Sequence, residues 1–583
     1  MASSRSNQPV SPDLLLIFLG GIFFLRLIIW QFFSGSEAFF REGFSDAAVS
    51  VLISALALPW ALGKIIARQP FKRSGLELPL LLLMGAAFCS LFYTADRSAS
   101  LPAVFVLASG MTVFYILFDL LDSPVRLRWA LFFLLGLAFI AAVFGIKTFL
   151  DYLTHPHSAQ DAELQVTNNN LYYLLVHPRA ISFFGWPNAL AGFLLLFLPL
   201  SLVLPFELQK RWQKGVSVVL LPVLAACFLC TFSFLGWVSF LLSGIIVFPF
   251  FQKKFKVKVW PVLFVFLALF LIVVVRKDFL AALSPRIFYY KAAFTLLAKS
   301  PLWGWGWNTF GLISSSLTND KRILSAYVHN SYVQALVETG VIGFAGIVLL
   351  AVFVFRKVKA AVYDNEQESG HLITVAVAWG VTAFLIDNMF NFTMLQGNVA
   401  FFWWAMLGVF CAMLRKGTDE GIKENGKIVT GVVFFTGLLI VFAVLARIAG
   451  GYTLYYQAKK NIHNNDPLSM LGSNGNAIKT LTRAKDIDPW SAYLPAAIGE
   501  SRMNLYALTH FNSLLVMAQK DYAQAVLRSP KYYYNYFVIA KIYGQLGDKV
   551  NEEIFTKKAR DLSPGEFALD NEMFNKSAGP ASR

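Results

Sequence analysis

Long unbroken runs of apolar residues alternate with short polar connections from Leu14 to Ile448. Each run holds about 17 to 22 residues, enough for an α-helix to cross a hydrocarbon layer of roughly 30 Å. There are about thirteen of them, and the pattern predicts an all-α fold, a polytopic transmembrane helical bundle of about 12–14 spans. The first run, Leu14–Phe33, is too long for a signal-peptide core and no small-residue cleavage site follows it, so it is expected to remain as the first span. After the last run, Ile428–Ile448, the pattern becomes that of a soluble helical segment. The expected division is a membrane domain, residues 1–450, and a soluble helical-repeat domain, residues 451–583.

Two connections are long enough to fold, about residues 149–186 and 276–339, and long loops within compact proteins tend to carry function. In the second, Ile287, Tyr290, Phe294 and Leu297 recur at helical spacing with Lys291 and Lys299 among them, which predicts a helix lying in the membrane interface. In the C-terminal segment, Ala525-x-x-x-Ser529-Pro530 recurs as Ala559-x-x-x-Ser563-Pro564, a spacing of 564 − 530 = 34 residues that is the tetratricopeptide period. Ala484-x-x-x-Asp488-Pro489 is a looser third copy, and Ala540, Tyr543 and Gly547 supply the small, aromatic and turn residues such helix pairs need. A tetratricopeptide-like module points to partner binding rather than catalysis.

Charge adds a direction. Lys and Arg concentrate in alternate connections: Lys64 to Arg73, Arg126 and Arg128, Lys210 to Lys214, Lys253 to Lys258, Arg356 to Lys359, and Arg415 to Lys427. By the positive-inside rule these are cytoplasmic. An odd number of spans then puts the N-terminus in the cytoplasm and the C-terminal domain, with both long loops, on the opposite face. The formal net charge of +16 is spread over these clusters, as topogenic charges are, and excludes nucleic acid as the expected partner. With 57% hydrophobic and 14% charged residues, a soluble globular protein is excluded too. Cys89, Cys227, Cys230 and Cys411 all lie in apolar runs, and Cys227-x-x-Cys230 lacks the flanking ligands of a metal or redox site, so it reads as helix packing.

Candidate chemistry gathers in the long loops. His329, in Val328-His329-Asn330-Ser331-Tyr332, stands before Glu338-Thr339-Gly340-Val341-Ile342-Gly343 at the mouth of a span. An imidazole with an unperturbed pKa near 6.5 can accept a proton at neutral pH as a general base; the plain alternative is an interfacial histidine bonded to its own loop. Arg179 and Arg286 are placed at headgroup level, where a guanidinium either snorkels to lipid phosphate or clamps a pyrophosphate with its planar fork. Asp387, inside the apolar segment Leu372–Phe392 with Asn391, reads either as functional or as a cap.

Several fragments follow one another in order: Arg179 with Trp186-Pro187-Asn188-Ala189-Leu190-Ala191, then Arg286, then Ser300-Pro301-Leu302-Trp303-Gly304-Trp305-Gly306-Trp307-Asn308-Thr309-Phe310, then His329-Asn330-Ser331-Tyr332 and Glu338-x-Gly340-x-x-Gly343. This ordered set, over about Leu171 to Gly408, resembles the bacterial O-antigen ligase and O-antigen polymerase superfamily, glycosyltransferases that use polyprenyl-diphosphate-linked glycans. The resemblance implies a GT-C-like bundle in the bacterial inner membrane with a periplasmic site. It implies that His329 activates the acceptor and that Arg179 and Arg286 hold the donor diphosphate. Asn330, Glu338 and Asp387 are kept as supporting residues. One departure is that Thr231-Phe232-Ser233 is followed by Phe234-Leu235-Gly236, where members of the family often carry an arginine.

The expected reaction moves a preassembled glycan from undecaprenyl diphosphate to an acceptor hydroxyl, with inversion at the anomeric carbon. The acceptor would be lipid A core for a ligase acting in lipopolysaccharide synthesis, another glycan for a polymerase of O-antigen or exopolysaccharide, or a Ser or Thr side chain for a protein O-oligosaccharyltransferase. No acidic cluster with metal-ligand spacing occurs in the long loops, and arginine charge can replace a divalent ion, so no metal and no cofactor are expected. A lipid-linked glycan transporter is the competing class, although transporters place polar residues near the midplane of their spans and here those positions are nearly free of charge.

Overall fold

The computed structural model describes residues 11–29, 38–154, 179–255, 277–319, 324–363, 370–415, 424–460 and 467–577. Among them the fold is helical without strands, an all-α polytopic bundle. Eight helices are long and apolar enough to cross a membrane: Gly43–Ile66, Arg97–Leu120, Pro124–Thr154, Pro187–Glu207, Arg211–Cys230, Phe234–Phe251, Ser331–Tyr363 and Val429–Lys460. Glu77–Ser90, His371–Asp387 and Gly397–Met413 are shorter apolar helices, and Pro12–Ile28 forms from the first apolar run. The apolar stretch 257–275 and most of the first long loop, residues 155–178, lie outside the described residues.

Helix starts follow local chemistry. Ser11 accepts from the Leu14 N–H (3.2 Å) ahead of Pro12, and Asp96 accepts from the Ala99 N–H (2.9 Å) at the head of Arg97–Leu120. In both, a side-chain oxygen satisfies an N–H that has no partner within the helix. The Gly397–Met413 helix is the innermost element: its Phe401, Phe402, Trp403 and Trp404 are all enclosed, because Arg97–Leu120 and its other neighbours pack around it. The outer helices instead leave Phe18, Leu81, Trp129 and Val433 exposed, apolar surface that a bilayer would cover.

The Arg97–Leu120 helix fixes the polarity of the molecule. At its C-terminal end Asp119 takes Lys64 at 2.9 Å, Lys72 at 3.5 Å and the Trp60 indole N–H at 2.9 Å. Nearby, Arg126 pairs with Asp13 and Asp122, and Arg415 donates to the Phe118 carbonyl. Several of the basic connections thus meet at one end. At its N-terminal end Asp96 receives the Ser529 hydroxyl, and the Ala492 N–H donates to Ser98 (2.9 Å). The C-terminal helices therefore dock at the opposite end from the basic loops.

That C-terminal part is a run of antiparallel helices, from Pro467–Ile487 to Pro564–Ser577, each packed on the next. The repeated sequence has a repeated structure. Asp488 N–H bonds the Ala484 carbonyl (2.8 Å), Ser529 N–H the Ala525 carbonyl (2.9 Å) and Ser563 N–H the Ala559 carbonyl (3.2 Å), so each copy closes a helix in the same way. The last membrane helix runs without interruption from Glu424 to Lys460, past the boundary expected at residue 450.

The helix expected over Arg286–Lys299 forms and begins earlier, at Lys277. It packs Tyr289, Ala292, Ala293 and Leu296 against Phe310, Val328 and Val337. The stripe read from the sequence is divided: Tyr290 and Leu297 pack against the edge of this cluster, while Ile287 and Phe294 are exposed.

Ser331–Tyr363 is broken at Gly340, whose backbone (φ 64, ψ −164) lies where essentially only glycine is found. A Cβ there would also overlap the Leu302 carbonyl. Gly340→Ala is expected to lower stability by about 3 kcal/mol or more, measured as a fall in melting temperature and folded yield of the detergent-solubilised protein.

Candidate active site

A helix break strands carbonyl groups that would otherwise accept N–H groups one turn on. At Gly340 the Val337 carbonyl takes the Trp305 N–H (3.1 Å) and the Glu338 carbonyl takes the Gly306 N–H (2.8 Å). The loop Ser300–Thr309 thus lies along the break as a brace. Gly304 is needed because φ is +73 and a Cβ would run into the Glu338 backbone. The Glu338 side chain holds the other half of the loop, accepting from the Asn308 N–H (2.8 Å), the Phe310 N–H (3.1 Å) and Gln334 Nε2 (2.9 Å). Tyr93 OH donates to the Trp303 carbonyl (2.7 Å) and the Ala95 N–H to the Trp305 carbonyl (2.8 Å), which ties the brace to the next loop of the same end.

His329 sits just before the head of the broken helix, in the left-handed region (φ 60), which His tolerates better than most residues. Asn330 caps the helix, its Oδ1 accepting from the Tyr332 and Val333 N–H groups (both 3.0 Å). Ser331 bonds Asn388 through both its backbone N–H (2.9 Å, to the carbonyl) and its hydroxyl (2.7 Å, to Oδ1). The imidazole is clasped between the stacked Tyr289 ring (5.3 Å between centroids) and the edge-on Phe392 ring (4.8 Å). Its Nδ1 is enclosed with no hydrogen-bond partner among the described residues. Burial, and then the positive charge of Arg286, push its pKa down to about 3. The value near 6.5 expected of a surface imidazole is therefore not met, because the ring is packed in rather than lying in the interface.

Arg286 is partly buried and makes no hydrogen bond or ion pair among the described residues. Burial lowers its pKa, opposed by Tyr290, Asp387 and Tyr289, so its charge is felt at His329 on one side and Asp387 on the other. Asp387 accepts from Asn391 Nδ2 (2.8 Å) and Thr393 Oγ1 (3.5 Å) and organises the turn that carries Phe392. His329, Arg286 and Asp387 are thus brought together, with Asn330 as a cap beneath them.

Arg179 belongs to a different junction. Its Nε donates to the Thr231 carbonyl (2.7 Å), and its Nη2 to the Phe232 carbonyl (3.1 Å) and Asn188 Oδ1 (3.2 Å). The Thr231–Ser233 turn, where the resemblance leads one to expect a further arginine, thus receives a guanidinium from Arg179. Glu338 is likewise engaged by the brace. Sequence reading missed Tyr289 and Phe392, which hold the imidazole, and Gln334, which supports Glu338 from one turn before it. Only Gln334 carried a signal, its i, i+4 spacing to Glu338.

Residues 219–348 match the family model of O-antigen ligase. This segment is therefore an O-antigen-ligase-like domain. The matched segment contains Arg286, His329, Asn330 and Glu338, and stops short of Arg179 on one side and Asp387 on the other. No curated protein matches the chain. The domain and the membrane-capable helices make this a multi-pass membrane protein with glycosyl transfer of the ligase or polymerase type as its function.

A histidine whose pKa is lower folded than unfolded stabilises the fold above the unfolded value, and that stability is lost as pH falls from 6.5 towards about 3. His329→Asn, which suits the left-handed backbone, is expected to flatten this acid-side decline in melting temperature. An unchanged pH dependence would show that the imidazole is not held neutral by its seat.

Proposed function

We propose that the protein transfers a preassembled glycan from undecaprenyl diphosphate to an acceptor hydroxyl at the periplasmic face of the bacterial inner membrane, as an O-antigen ligase does. The observation that carries this reading is the Arg286 guanidinium, without a hydrogen bond or ion pair among the described residues and close enough for its charge to act on His329, within the segment that matches the family. An acceptor hydroxyl attacks the anomeric carbon and gives its proton to His329, through Nε2 because Nδ1 is enclosed. The bond from that carbon to the diphosphate breaks, and the leaving diphosphate keeps the electron pair beside Arg286. In-line attack inverts the anomeric centre.

Electrostatics give the donor a second role. Binding of an anionic diphosphate offsets the Arg286 charge, one of the two causes that hold the His329 pKa down. The base thus strengthens when the donor is in place. Arg179, fastened to carbonyls, supports the donor site by fixing the Asn188 and Thr231 junction. Arg286 provides the charge otherwise supplied by a divalent ion, so the reaction is read as metal-independent.

The docked C-terminal module, with a 34-residue sequence period (564 − 530), favours an acceptor larger than a lipid headgroup, a glycan or a protein, and suits contact with a protein partner. Polymerase and protein O-oligosaccharyltransferase activities therefore stand beside the ligase reading, and the acceptor alone separates them.

The test is transfer from a polyprenyl-diphosphate-linked oligosaccharide by purified protein to lipid A core, to a second lipid-linked glycan and to candidate proteins. His329→Asn and Arg286→Gln are each expected to reduce turnover by about 100-fold or more, and a chelator is expected to leave it unchanged. Full turnover in His329→Asn would remove the base from the mechanism. The kcat/KM of the wild type should show no acid limb near pH 6.5, and a limb should rise towards that value in Arg286→Gln, where the opposing charge is gone.

A further inference from the structure

Between the C-terminal helices and the membrane bundle lies a cavity of about 930 Å³, at the upper end of the roughly 300–1,000 Å³ typical of small-molecule sites. His329, Arg286 and Asp387 are not part of its lining. One wall is the head of the Gly397–Met413 helix, with Gln396 and Asn398. The facing wall is the head of the Tyr533–Gln545 helix, with Tyr532, Tyr534 and Asn535.

Three side-chain amides on these walls are buried with polar atoms unpaired. Asn535 is 1% exposed, and neither its Oδ1 nor its Nδ2 has a hydrogen-bond partner among the described residues. Gln396 is 5% exposed with Oε1 unpaired. Asn398 is 9% exposed with Oδ1 unpaired, although its Nδ2 donates to the Phe184 carbonyl (3.3 Å). An unpaired buried polar atom costs about 1–3 kcal/mol. Native proteins retain few of them, and here they line one cavity from two separate elements.

Most of the charged groups on the same walls are engaged. Arg26 pairs with Asp46, Lys459 with Glu500 (2.7 Å), and Asp96 and Glu566 take the hydroxyls of Ser529 and Ser563. Lys531 is exposed. Apart from Lys531, what remains is neutral: three amide oxygens that accept, one amide nitrogen that donates, and the exposed rings of Tyr532 and Tyr534. A ligand rich in hydroxyls satisfies both kinds of amide atom, and an aromatic face carries the partial negative charge that attracts the C–H face of a sugar ring. The cavity also reaches the catalytic loop, because Tyr327 lines it and stacks on Phe392 (4.1 Å), whose ring meets His329.

We propose that this cavity binds a saccharide chain and presents it towards His329, an assignment that rests on the glycosyl-transfer reading above. The chain belongs either to the acceptor or to the lipid-linked donor, and both offer the same hydroxyl chemistry.

The experiment is calorimetric titration of the full-length protein in detergent with short oligosaccharides released from the bacterium's own surface polysaccharide, and in a second arm with the same oligosaccharides on undecaprenyl diphosphate. The comparison protein carries Asn535→Leu and Gln396→Leu, which remove the amides and keep bulk. Saturable binding of the free oligosaccharide, weakened at least about tenfold in the variant, is expected if the chain is the acceptor. Binding of the lipid-linked form alone, weakened equally, is expected if it is the donor. The variant's melting temperature should hold or rise, since apolar groups replace unpaired polar ones. A fall in melting temperature, equal affinity in the two proteins, or no saccharide binding in the wild type would overturn the assignment, as would binding of an unglycosylated protein in place of any saccharide. Binding is read without turnover, so the two readings fail separately. Transfer without amide-dependent binding removes the cavity assignment alone, and amide-dependent binding without transfer to any acceptor removes the glycosyltransferase reading alone.

Discussion

Everything at the working end of this molecule depends on the repair of one broken helix. Gly340 interrupts the Ser331–Tyr363 helix, and an interruption exposes backbone carbonyls that cannot be left unpaired near a membrane. The Trp305 and Gly306 N–H groups fill the gap, and the Glu338 carboxylate collects two more N–H groups and a side-chain amide. The repair fixes the part of the helix above the break at an angle of its own, and that part carries Gln334, Ser331 and, just ahead of it, His329.

The imidazole is then placed by contacts from three directions: Tyr289 from one helix, Phe392 from the turn that Asp387 organises, and Asn388 through Ser331. A ring enclosed in this way is a weak base until something offsets the neighbouring guanidinium. Arg286 has no hydrogen bond or ion pair among the described residues and Arg179 is bonded to carbonyls, so the two arginines that look equivalent in the sequence have different surroundings. Arg179 ties the Thr231–Phe232 turn to Asn188.

The helices and the ordered loop motifs were legible because both rest on local rules, apolar length in one case and residue order in the other. His329 and Arg286 were legible as types in a loop, and the fold brings them within electrostatic reach of each other. Their energetics were not legible, because the pKa of His329 is set by Tyr289, Phe392 and Arg286, which lie far apart in sequence or on other elements. Glu338 illustrates the reverse. It reads from the sequence as a supporting residue of the site, yet its oxygens are taken by Asn308, Phe310 and Gln334, and a single sequence gives no sign of who will meet whom across a loop.

The three like helix endings of the C-terminal part differ in one respect. Ser529, alone among Asp488, Ser529 and Ser563, reaches out of the array to the head of a membrane helix, where its hydroxyl meets Asp96. The units of the array are therefore not interchangeable. Adding or deleting one whole unit ahead of Ser529 would preserve every contact between neighbouring helices and still move this serine out of register with Asp96. The number of units between the last membrane helix and Ser529 is thus fixed by the membrane domain.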